Sequence, residues 1–437
     1  MRSVSVAGGK GNKILVMVAV LLFVAAACGD GDGGAASEAQ QSTGPIEIWY
    51  SNNPEEIAWG EQVVKAWNDE HPNEEVTGQE IPAGETSEEV IAAAITAGNT
   101  PCLIFNTAPA AVPQFERAGG LVDLAEFEDG ASYIEERSGD RAAQYQYPED
   151  EYNQMPWKAN PVMIFYNKDL FDEAGLDSEN PPLSTYDEFL QTSQTLVDKA
   201  GVQAAIWPAP SSEFFQPWFD FYPLFIAQTG GGQLVEDGEA QFNSEDGIAV
   251  AEFWRQMYER GLSQQEAYNG DAFADQKSAM SIVGPWAIAV YGKDINWGVA
   301  PVPTQDGVAP EETFTFADEK SIGMYSTCEN QQTAWEFLKF VTNEDNDGLL
   351  LEETGQMPMR TDVTGTYPDY FDQKPEYQFF AEQADRTVEV PMVPSSIDVW
   401  QEFRDAYSAS VIFRDDEIQS AFDGAAETIN GLVEEGS

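Results

Sequence analysis

Residues 162–199 read VMIFYNKDLFDEAGLDSENPPLSTYDEFLQTSQTLVDK, and this stretch decides the fold class. The apolar run from Val162 to Asn167 is typical of a buried strand. Thr185 followed by Glu188 is the pattern of a capping box, which predicts a helix that runs to Lys199. A strand followed by a capped helix is the repeating unit of an α/β sheet, so we expect the same alternation elsewhere in the chain.

The alternation is present from residue 46 onward. Ile46 to Tyr50 is rich in strand formers, and residues 54–70 carry apolar side chains at helical spacing. A short helix over 88–97, stopped by Gly98, leads to a buried-type strand over 102–105. This order predicts a parallel or mixed α/β sheet. Further helices are predicted after the cap Asn243-Ser244, over 333–342, and from Ile418 to about Leu432.

The composition excludes several classes of function. The chain has 437 residues, of which 42% are hydrophobic, and 76 acidic residues against 21 basic ones give a net charge of −55. A nucleic-acid partner is therefore not expected, because phosphate binding needs a basic face. The acidity indicates either a need for solubility or a cationic ligand. The single histidine, His71, stands at a predicted helix end and excludes most histidine-based metal and catalytic sites, so no metal or other cofactor is expected.

The N-terminus has the pattern of an export signal. Positive residues precede an apolar run over 14–27, which is too short to span a membrane as a mature helix. The run ends in Ala25-Ala-Ala-Cys28, which resembles a bacterial lipobox, although alanine stands where leucine is commoner. An ordinary signal cut near Cys28 is the alternative. We expect a signal peptide over 1–27, a lipidated Cys28 with a flexible tether over 28–45, and a location on the outer face of the cytoplasmic membrane.

Two further cysteines, Cys102 and Cys328, remain in what would be an oxidising compartment. They form either a disulfide or two buried thiols, and the sequence leaves both open because it does not show whether their Cα atoms come within about 7 Å.

Seven strings, in order along the chain, resemble the extracellular solute-binding proteins of bacterial ABC importers, in the carbohydrate-binding group that includes the maltose-binding proteins. The strings are IEIWY (46–50), AAAITAGNTP (92–101), FYNKDLFDEAGL (165–176), FADQKSAM (273–280), IVGPW (282–286), AWEFL (334–338) and TGQMP (354–358). Each string alone is a weak signal, but their common order covers nearly the whole mature chain.

The resemblance implies a type II periplasmic-binding-protein-like fold, an α/β fold of two lobes with mixed sheets, flanking helices and a ligand cleft between the lobes. By that resemblance, the N-lobe comprises residues 45–156 and 320–357, and the C-lobe comprises residues 160–318 and 360–437. The hinge crossings fall near 156–160, 318–322 and 355–360.

The ligand implied by the resemblance is a sugar, whose apolar C–H faces need flat aromatic surfaces and whose hydroxyls need fixed polar partners. Trp286 follows the Gly284-Pro285 turn, where the family places an aromatic ring that stacks on sugar; core packing is the alternative. Trp218, after Pro217, resembles a second such position. Trp157, beside the first crossing, suits a packing role equally well.

The polar candidates lie mostly after strands and at the crossings. They are Tyr50, Asn52, Asn106, Thr107, Asn160, Asp318, Glu319 and Arg360. Lys158, close to Asn160, departs from the carboxylate that some maltose binders have, which puts maltose itself in doubt. The two carboxylates at the second crossing accept hydrogen bonds from vicinal hydroxyls or are solvated surface groups.

The main hypothesis is a monomeric lipoprotein that binds an oligosaccharide or glycoside without changing it and delivers it to ABC permease subunits. One alternative keeps the fold but takes a polyamine or another small cation, which the acidity favours. A second alternative is an exported glycoside hydrolase, for which two cleft carboxylates would suffice. With 76 acidic residues, candidate pairs are too many to support it.

Overall fold

The computed structural model describes residues 38–50, 54–83, 86–208, 210–292 and 294–436. The predicted signal peptide, the lipidation site Cys28, most of the tether and Asn52 lie outside the described residues. The chain forms two α/β lobes, each with its own sheet and its own apolar core.

The strands are β1 (Ile46–Tyr50), β2 (Val76–Glu80), β3 (Leu103–Thr107), β4 (Met155–Ala159), β5 (Met163–Asn167), β6 (Ala204–Ile206), β7 (Val235–Glu236), β8 (Glu239–Ala240), β9 (Ser278–Val283), β10 (Trp297–Ala300), β11 (Thr315–Phe316), β12 (Lys320–Met324), β13 (Met357–Pro358) and β14 (Thr387–Val388). The α-helices are α1 (Pro54–Glu70), α2 (Ser87–Ala97), α3 (Val112–Arg117), α4 (Gly130–Ser138), α5 (Lys168–Ala174), α6 (Tyr186–Lys199), α7 (Phe221–Thr229), α8 (Glu245–Glu259), α9 (Ala287–Tyr291), α10 (Gln331–Val341), α11 (Glu344–Thr354), α12 (Val363–Thr366), α13 (Pro368–Gln373), α14 (Gln378–Gln383), α15 (Ser396–Tyr407) and α16 (Ile418–Gly436).

The N-lobe is built on a mixed sheet in the order β13-β4-β12-β3-β1-β2. β1 pairs in parallel with β2 and β3, whereas β12 runs antiparallel to both β3 and β4. The C-lobe sheet has the order β10-β5-β9-β6 and is also mixed. The predicted residue limits of the two lobes remain a prediction, but the predicted fold class is confirmed.

Local sequence signals set the helix ends as predicted. The Thr185 hydroxyl accepts from the Glu188 N–H at 3.1 Å, and the Glu188 carboxylate accepts from the Thr185 N–H at 3.3 Å, so the capping box at the start of α6 is confirmed. Ser244 caps α8, and Gly98 ends α2 in the left-handed region at φ 66°.

The two remaining cysteines form a disulfide. Cys102 and Cys328 have their Cα atoms 4.5 Å apart and are 226 positions apart in sequence. The bond fastens the start of β3 to the segment after β12, which are neighbours in the N-lobe sheet. This decides between the two alternatives that the sequence leaves open. Across the described ranges, no helix combines the length and the apolar character that a membrane span requires.

Candidate functional site

Three strands that lie side by side at one edge of the N-lobe sheet mark the junction of the lobes. β4 pairs with both β12 and β13, and each of the three strands borders a segment that continues into the other lobe. Beyond the sheet the pairing continues, because the Asn160 N–H donates to the Ala317 carbonyl at 2.8 Å and the Val162 N–H donates to the Phe316 carbonyl at 3.0 Å. The predicted crossing segments therefore lie next to one another.

An aromatic cavity of about 350 Å³ opens in the C-lobe. Its walls include the rings of Trp207, Phe219, Tyr268 and Trp286, all of them half-buried. The centroids of Trp207 and Tyr268 are 5.1 Å apart, and those of Phe219 and Trp286 are 6.0 Å apart. Half-buried rings around an open cavity leave aromatic surface available to a ligand, unlike rings that are packed on both faces.

The turn that precedes Trp286 determines the position of its indole in the cavity wall. β9 ends at Val283, and the indole lies directly against Gly284: a Cβ on Gly284 would stand 1.9 Å from Cζ3 of the indole. Only glycine allows the ring to lie this close to the backbone. The Gly284-Pro285-Trp286 motif therefore places an indole at the end of a strand and in the cavity wall, and the contact of this ring with a sugar stays a prediction.

The other aromatic candidates lie in the cores. Trp218 is 4% exposed and packs among Phe214, Phe316 and Trp400. Trp157 is 1% exposed, with its ring 5.3 Å from that of Trp59.

Tyr50 is also a packing residue. Its ring lies between α1 and β2, where a Cβ at Gly78 would stand 2.0 Å from the tyrosine oxygen. Burial, with a smaller contribution from Glu61, raises the pKa of Tyr50 to about 12. The structure thus places Tyr50 in the N-lobe core, away from the position after β1 where a ligand contact is predicted.

Asn106 and Thr107 are the last two residues of β3, not residues after it as predicted, and Asn160 directly follows β4. Thr107 pairs with Ser321 of β12, which places it close to the junction. Asn106 adopts the left-handed region at φ 62°, and the neighbouring Thr107 is buried. Asn160 is 2% exposed, and its Nδ2 donates to Oε1 of Gln356 at 3.2 Å. Its Oδ1 is buried without a hydrogen-bond partner in the part of the chain that the structure describes. A buried acceptor of this kind is the group a ligand or a water would satisfy.

Two buried ion pairs lie at the junction. The Lys158 ammonium pairs with the Glu56 carboxylate at the start of α1. The Lys320 ammonium lies 2.7 Å from Asp318, whose φ of 38° places its backbone in the left-handed region. Burial raises the pKa of Asp318, while Lys320 acts in the opposite direction. Asp318 is therefore a paired, buried group and not the solvated carboxylate that the sequence allows.

Glu319 belongs to a buried pair of carboxyl groups. It is fully buried, and its N–H donates at 2.9 Å to Oε2 of Glu389, which is itself 2% exposed. The Glu319 carboxylate accepts from the Trp157 N–H at 3.2 Å. Burial, and then the neighbouring Glu389, raise the pKa of Glu319 well above its usual range; burial raises that of Glu389 to about 8. Within the described ranges neither carboxylate lies in a salt bridge, so at least one of them holds a proton at neutral pH.

Arg360 is held by the N-lobe. Its Nε donates to Asp347 at 3.0 Å and its Nη2 donates to the Thr342 carbonyl at 3.1 Å. Arg137 binds the same carboxylate at 2.8 Å and donates to the carbonyls of Pro156 and Trp157. The two guanidinium groups thus brace the crossing segments through Asp347, which gives Arg360 a structural role.

The sequence reasoning missed three of the four cavity rings. Trp207 directly follows β6 and adjoins Pro208, much as Trp286 comes shortly after β9 and adjoins Pro285, so a signal for Trp207 was present. Tyr268 lies in a loop 61 positions later and is joined to Trp207 only in three dimensions, where the Trp207 Nε1–H donates to the Glu266 carbonyl at 2.8 Å. Phe219 stands one position after the predicted Trp218. Asp271 is a polar residue in the wall of the same cavity.

Two other observations bear on the site. A larger cavity of about 610 Å³ lies beside β10, at the edge of the C-lobe sheet, and none of the crossing strands lines it. Among the described residues, no group of three or more His, Cys, Asp or Glu side chains is placed to hold a metal ion.

Comparison with known proteins gives the family. Residues 62–378 match the family model described as bacterial extracellular solute-binding protein. The chain is 24% identical over 319 residues to the maltodextrin-binding protein MdxE of Bacillus subtilis, covering 70% of this chain and 71% of that protein. It is 25% identical over 338 residues to the maltotriose-binding protein of Pyrococcus abyssi, covering 75% and 69% of the two chains.

Solved structures support the same fold. The GacH receptor of Streptomyces glaucescens, whose structures include complexes with acarbose, superposes with a TM-score of 0.75 at 21% identity, covering 90% of this chain and 100% of that one. The cyclic alpha-maltosyl-1,6-maltose binding protein of Arthrobacter globiformis gives a TM-score of 0.76 at 22% identity with the same coverage. The two-lobe fold and the match of the family model over most of the chain show that this protein belongs to the bacterial extracellular solute-binding protein family.

Proposed function

We propose that the protein is the substrate-binding component of an ABC importer and that it captures an oligosaccharide or a related glycoside between its two lobes. The observation that carries the proposal is the cavity walled by Trp207, Phe219, Tyr268 and Trp286. Flat rings bury the apolar faces of a sugar, and neither lysine nor arginine is among the described residues that line the cavity. The relatives named for maltodextrin and maltotriose point to the same class of ligand.

The ligand set that we propose differs from the one predicted from the sequence. Trp286, Asn106, Thr107 and Asn160 are retained, with the three cavity rings added, and Asn52 stays a prediction. Trp218, Trp157, Tyr50, Asp318, Glu319 and Arg360 are left out, because each is engaged in packing or in contacts within the lobes.

The remaining parts of the proposal concern the cell. The protein is exported, remains anchored through a lipid on Cys28, acts as a monomer, and delivers its ligand to the transmembrane subunits of the importer. It binds the sugar without chemical change. The polyamine alternative has only the overall acidity in its favour, and the hydrolase alternative has no observation of its own.

A thermal-shift screen tests the ligand class, because a compound that binds only the folded state raises the melting temperature. The panel contains maltotriose, maltoheptaose, a β-galactotriose, spermidine and divalent metal salts. We expect at least one sugar to raise the melting temperature and spermidine to leave it unchanged. A shift with spermidine and with none of the sugars would favour the cationic ligand, and release of reducing sugar during incubation would favour the hydrolase.

A further inference from the structure

Four buried side chains form a continuous chain of polar contacts at the junction of the lobes. Lys158 pairs with the Glu56 carboxylate. The Gln356 Nε2 donates to Oε1 of the same carboxylate at 2.7 Å, and the Asn160 Nδ2 donates to the Gln356 Oε1 at 3.2 Å. Each of the four residues is at most 4% exposed. The chain links α1 with the segments around β4 and β13 and ends at Asn160.

The direction of every hydrogen bond in this chain follows from Glu56. A carboxylate paired with an ammonium group only accepts hydrogen bonds, so the amide of Gln356 must turn its NH₂ toward Glu56. The carbonyl oxygen of Gln356 then points away from Glu56 and meets Asn160. Because that oxygen also only accepts, Asn160 must present its own NH₂ to it. Neither amide can flip without setting two acceptors or two donors against each other.

This order of donors and acceptors leaves one acceptor without a partner at the end of the chain of polar contacts. The Asn160 Oδ1 is buried and has no hydrogen-bond partner among the residues that the structure describes. The backbone of Asn160 is fixed as well, since its N–H donates to the Ala317 carbonyl on the neighbouring crossing segment. The result is an acceptor of fixed polarity where the crossing segments meet.

We propose that Gln356 is a positioning residue for the ligand site: it fixes the amide of Asn160 so that Oδ1 receives a hydrogen bond from a hydroxyl group of the bound sugar. The site therefore selects a ligand that donates at this point. This inference rests on the proposed function, because it assumes that the group which reaches Asn160 belongs to a sugar.

Replacement of Gln356 removes the constraint on the Asn160 amide. In Gln356→Leu the Asn160 NH₂ loses its acceptor, so the amide is no longer held with Oδ1 toward the sugar hydroxyl and has to be ordered when the ligand binds. We expect this variant to bind maltotriose or β-galactotriose, whichever the wild type binds, roughly 5- to 100-fold more weakly, as measured by titration calorimetry. Gln378→Leu is the matched control, because Gln378 is an exposed glutamine bonded to Glu382 on α14; its affinity should equal that of the wild type.

A second substitution separates positioning from a general structural role. An ionised aspartate in place of Asn160 offers an acceptor oxygen in either orientation, so Asn160→Asp combined with Gln356→Leu should regain affinity as the pH rises through the pKa of the new carboxyl group. The melting temperature of each variant verifies folding, and Gln356→Met replaces Gln356→Leu in the series if the leucine variant does not fold.

The outcomes are distinct. Wild-type affinity in the Gln356 variant, or no recovery on adding Asn160→Asp, overturns the positioning role while the proposed function stands. If the wild type binds neither sugar, the proposed function fails, and this inference fails with it.

Discussion

The buried pair of Glu319 and Glu389 contributes to the stability of the folded protein, and this contribution decreases as the pH rises. In the folded state burial raises the pKa of Glu389 to about 8, whereas an unfolded chain has a glutamate pKa of about 4.3. Between these two values the folded protein retains a proton that the unfolded chain has released. The free energy of unfolding contributed by this group is therefore fully present below about pH 4.3 and is lost as the pH rises through about 8. Each unit of difference between the two pKa values corresponds to about 1.4 kcal/mol, so the free energy of unfolding decreases by at most about 5 kcal/mol.

Glu389→Gln isolates this contribution. The glutamine side chain does not ionise. In the wild type the two carboxyl oxygens of Glu389 accept hydrogen bonds from the backbone N–H groups of Val390 and Glu319, so the NH₂ of the glutamine must face one of these two donors. That mismatch costs about 1–3 kcal/mol at every pH. The variant should thus be less stable than the wild type at pH 5, and the difference should shift in its favour by about 2–4 kcal/mol by pH 9.

Urea unfolding at pH 5, 7 and 9 measures the effect. Glu434→Gln, at an exposed position of α16, is the control and should follow the wild type at each pH. The groups that act on the pair from neighbouring elements are Lys320, Asp318, Arg141, Tyr145 and Tyr222, and all are unchanged in the variant. If the difference in stability between Glu389→Gln and the wild type stays constant from pH 5 to pH 9, Glu389 does not hold a proton in the folded protein over this range.

Three other perturbations follow from the structure. Trp286→Ala should weaken sugar binding by about 2–4 kcal/mol in calorimetry, and Trp286→Phe should weaken it much less because a flat aromatic face remains. If Trp286→Ala does not fold, or if its affinity for sugar is unchanged, the residue has a structural role. Replacing Cys102 and Cys328 by serine should lower the free energy of unfolding by about 2–5 kcal/mol in urea, because the bond closes a long loop in the unfolded chain; equal stability would contradict a structural role. Arg137→Met should cost about 3–5 kcal/mol in the same assay, since it deprives the buried Asp347 of one of its two cations, and an effect below about 1 kcal/mol would count against the bracing role.

Much of the fold could be predicted from local signals. The helix α1 has the predicted bounds, and the capping box of α6 and the glycine after α2 act at the predicted residues. These features depend on residues within one turn of each other, so a single sequence contains them. The predicted strand over 102–105 is instead Leu103–Thr107, a difference of two residues or fewer at each end.

The site was less accessible to sequence reasoning, because its contacts join distant parts of the chain. Every residue of β4 is buried, so the pattern around Trp157 does not distinguish a cleft face from a core face. Tyr50 packs into the space left by Gly60 and Gly78, a partnership that no local pattern reveals. Glu319 and Glu389 are 70 positions apart in sequence and come into contact only in the folded chain.

A sugar that binds between the two lobes should favour their closed arrangement. Small-angle scattering during a titration with the sugar identified in the thermal-shift screen measures this closure. We expect the radius of gyration to decrease with added sugar and to reach a plateau at one sugar per protein. If the radius stays unchanged at saturating sugar, the ligand does not close the lobes.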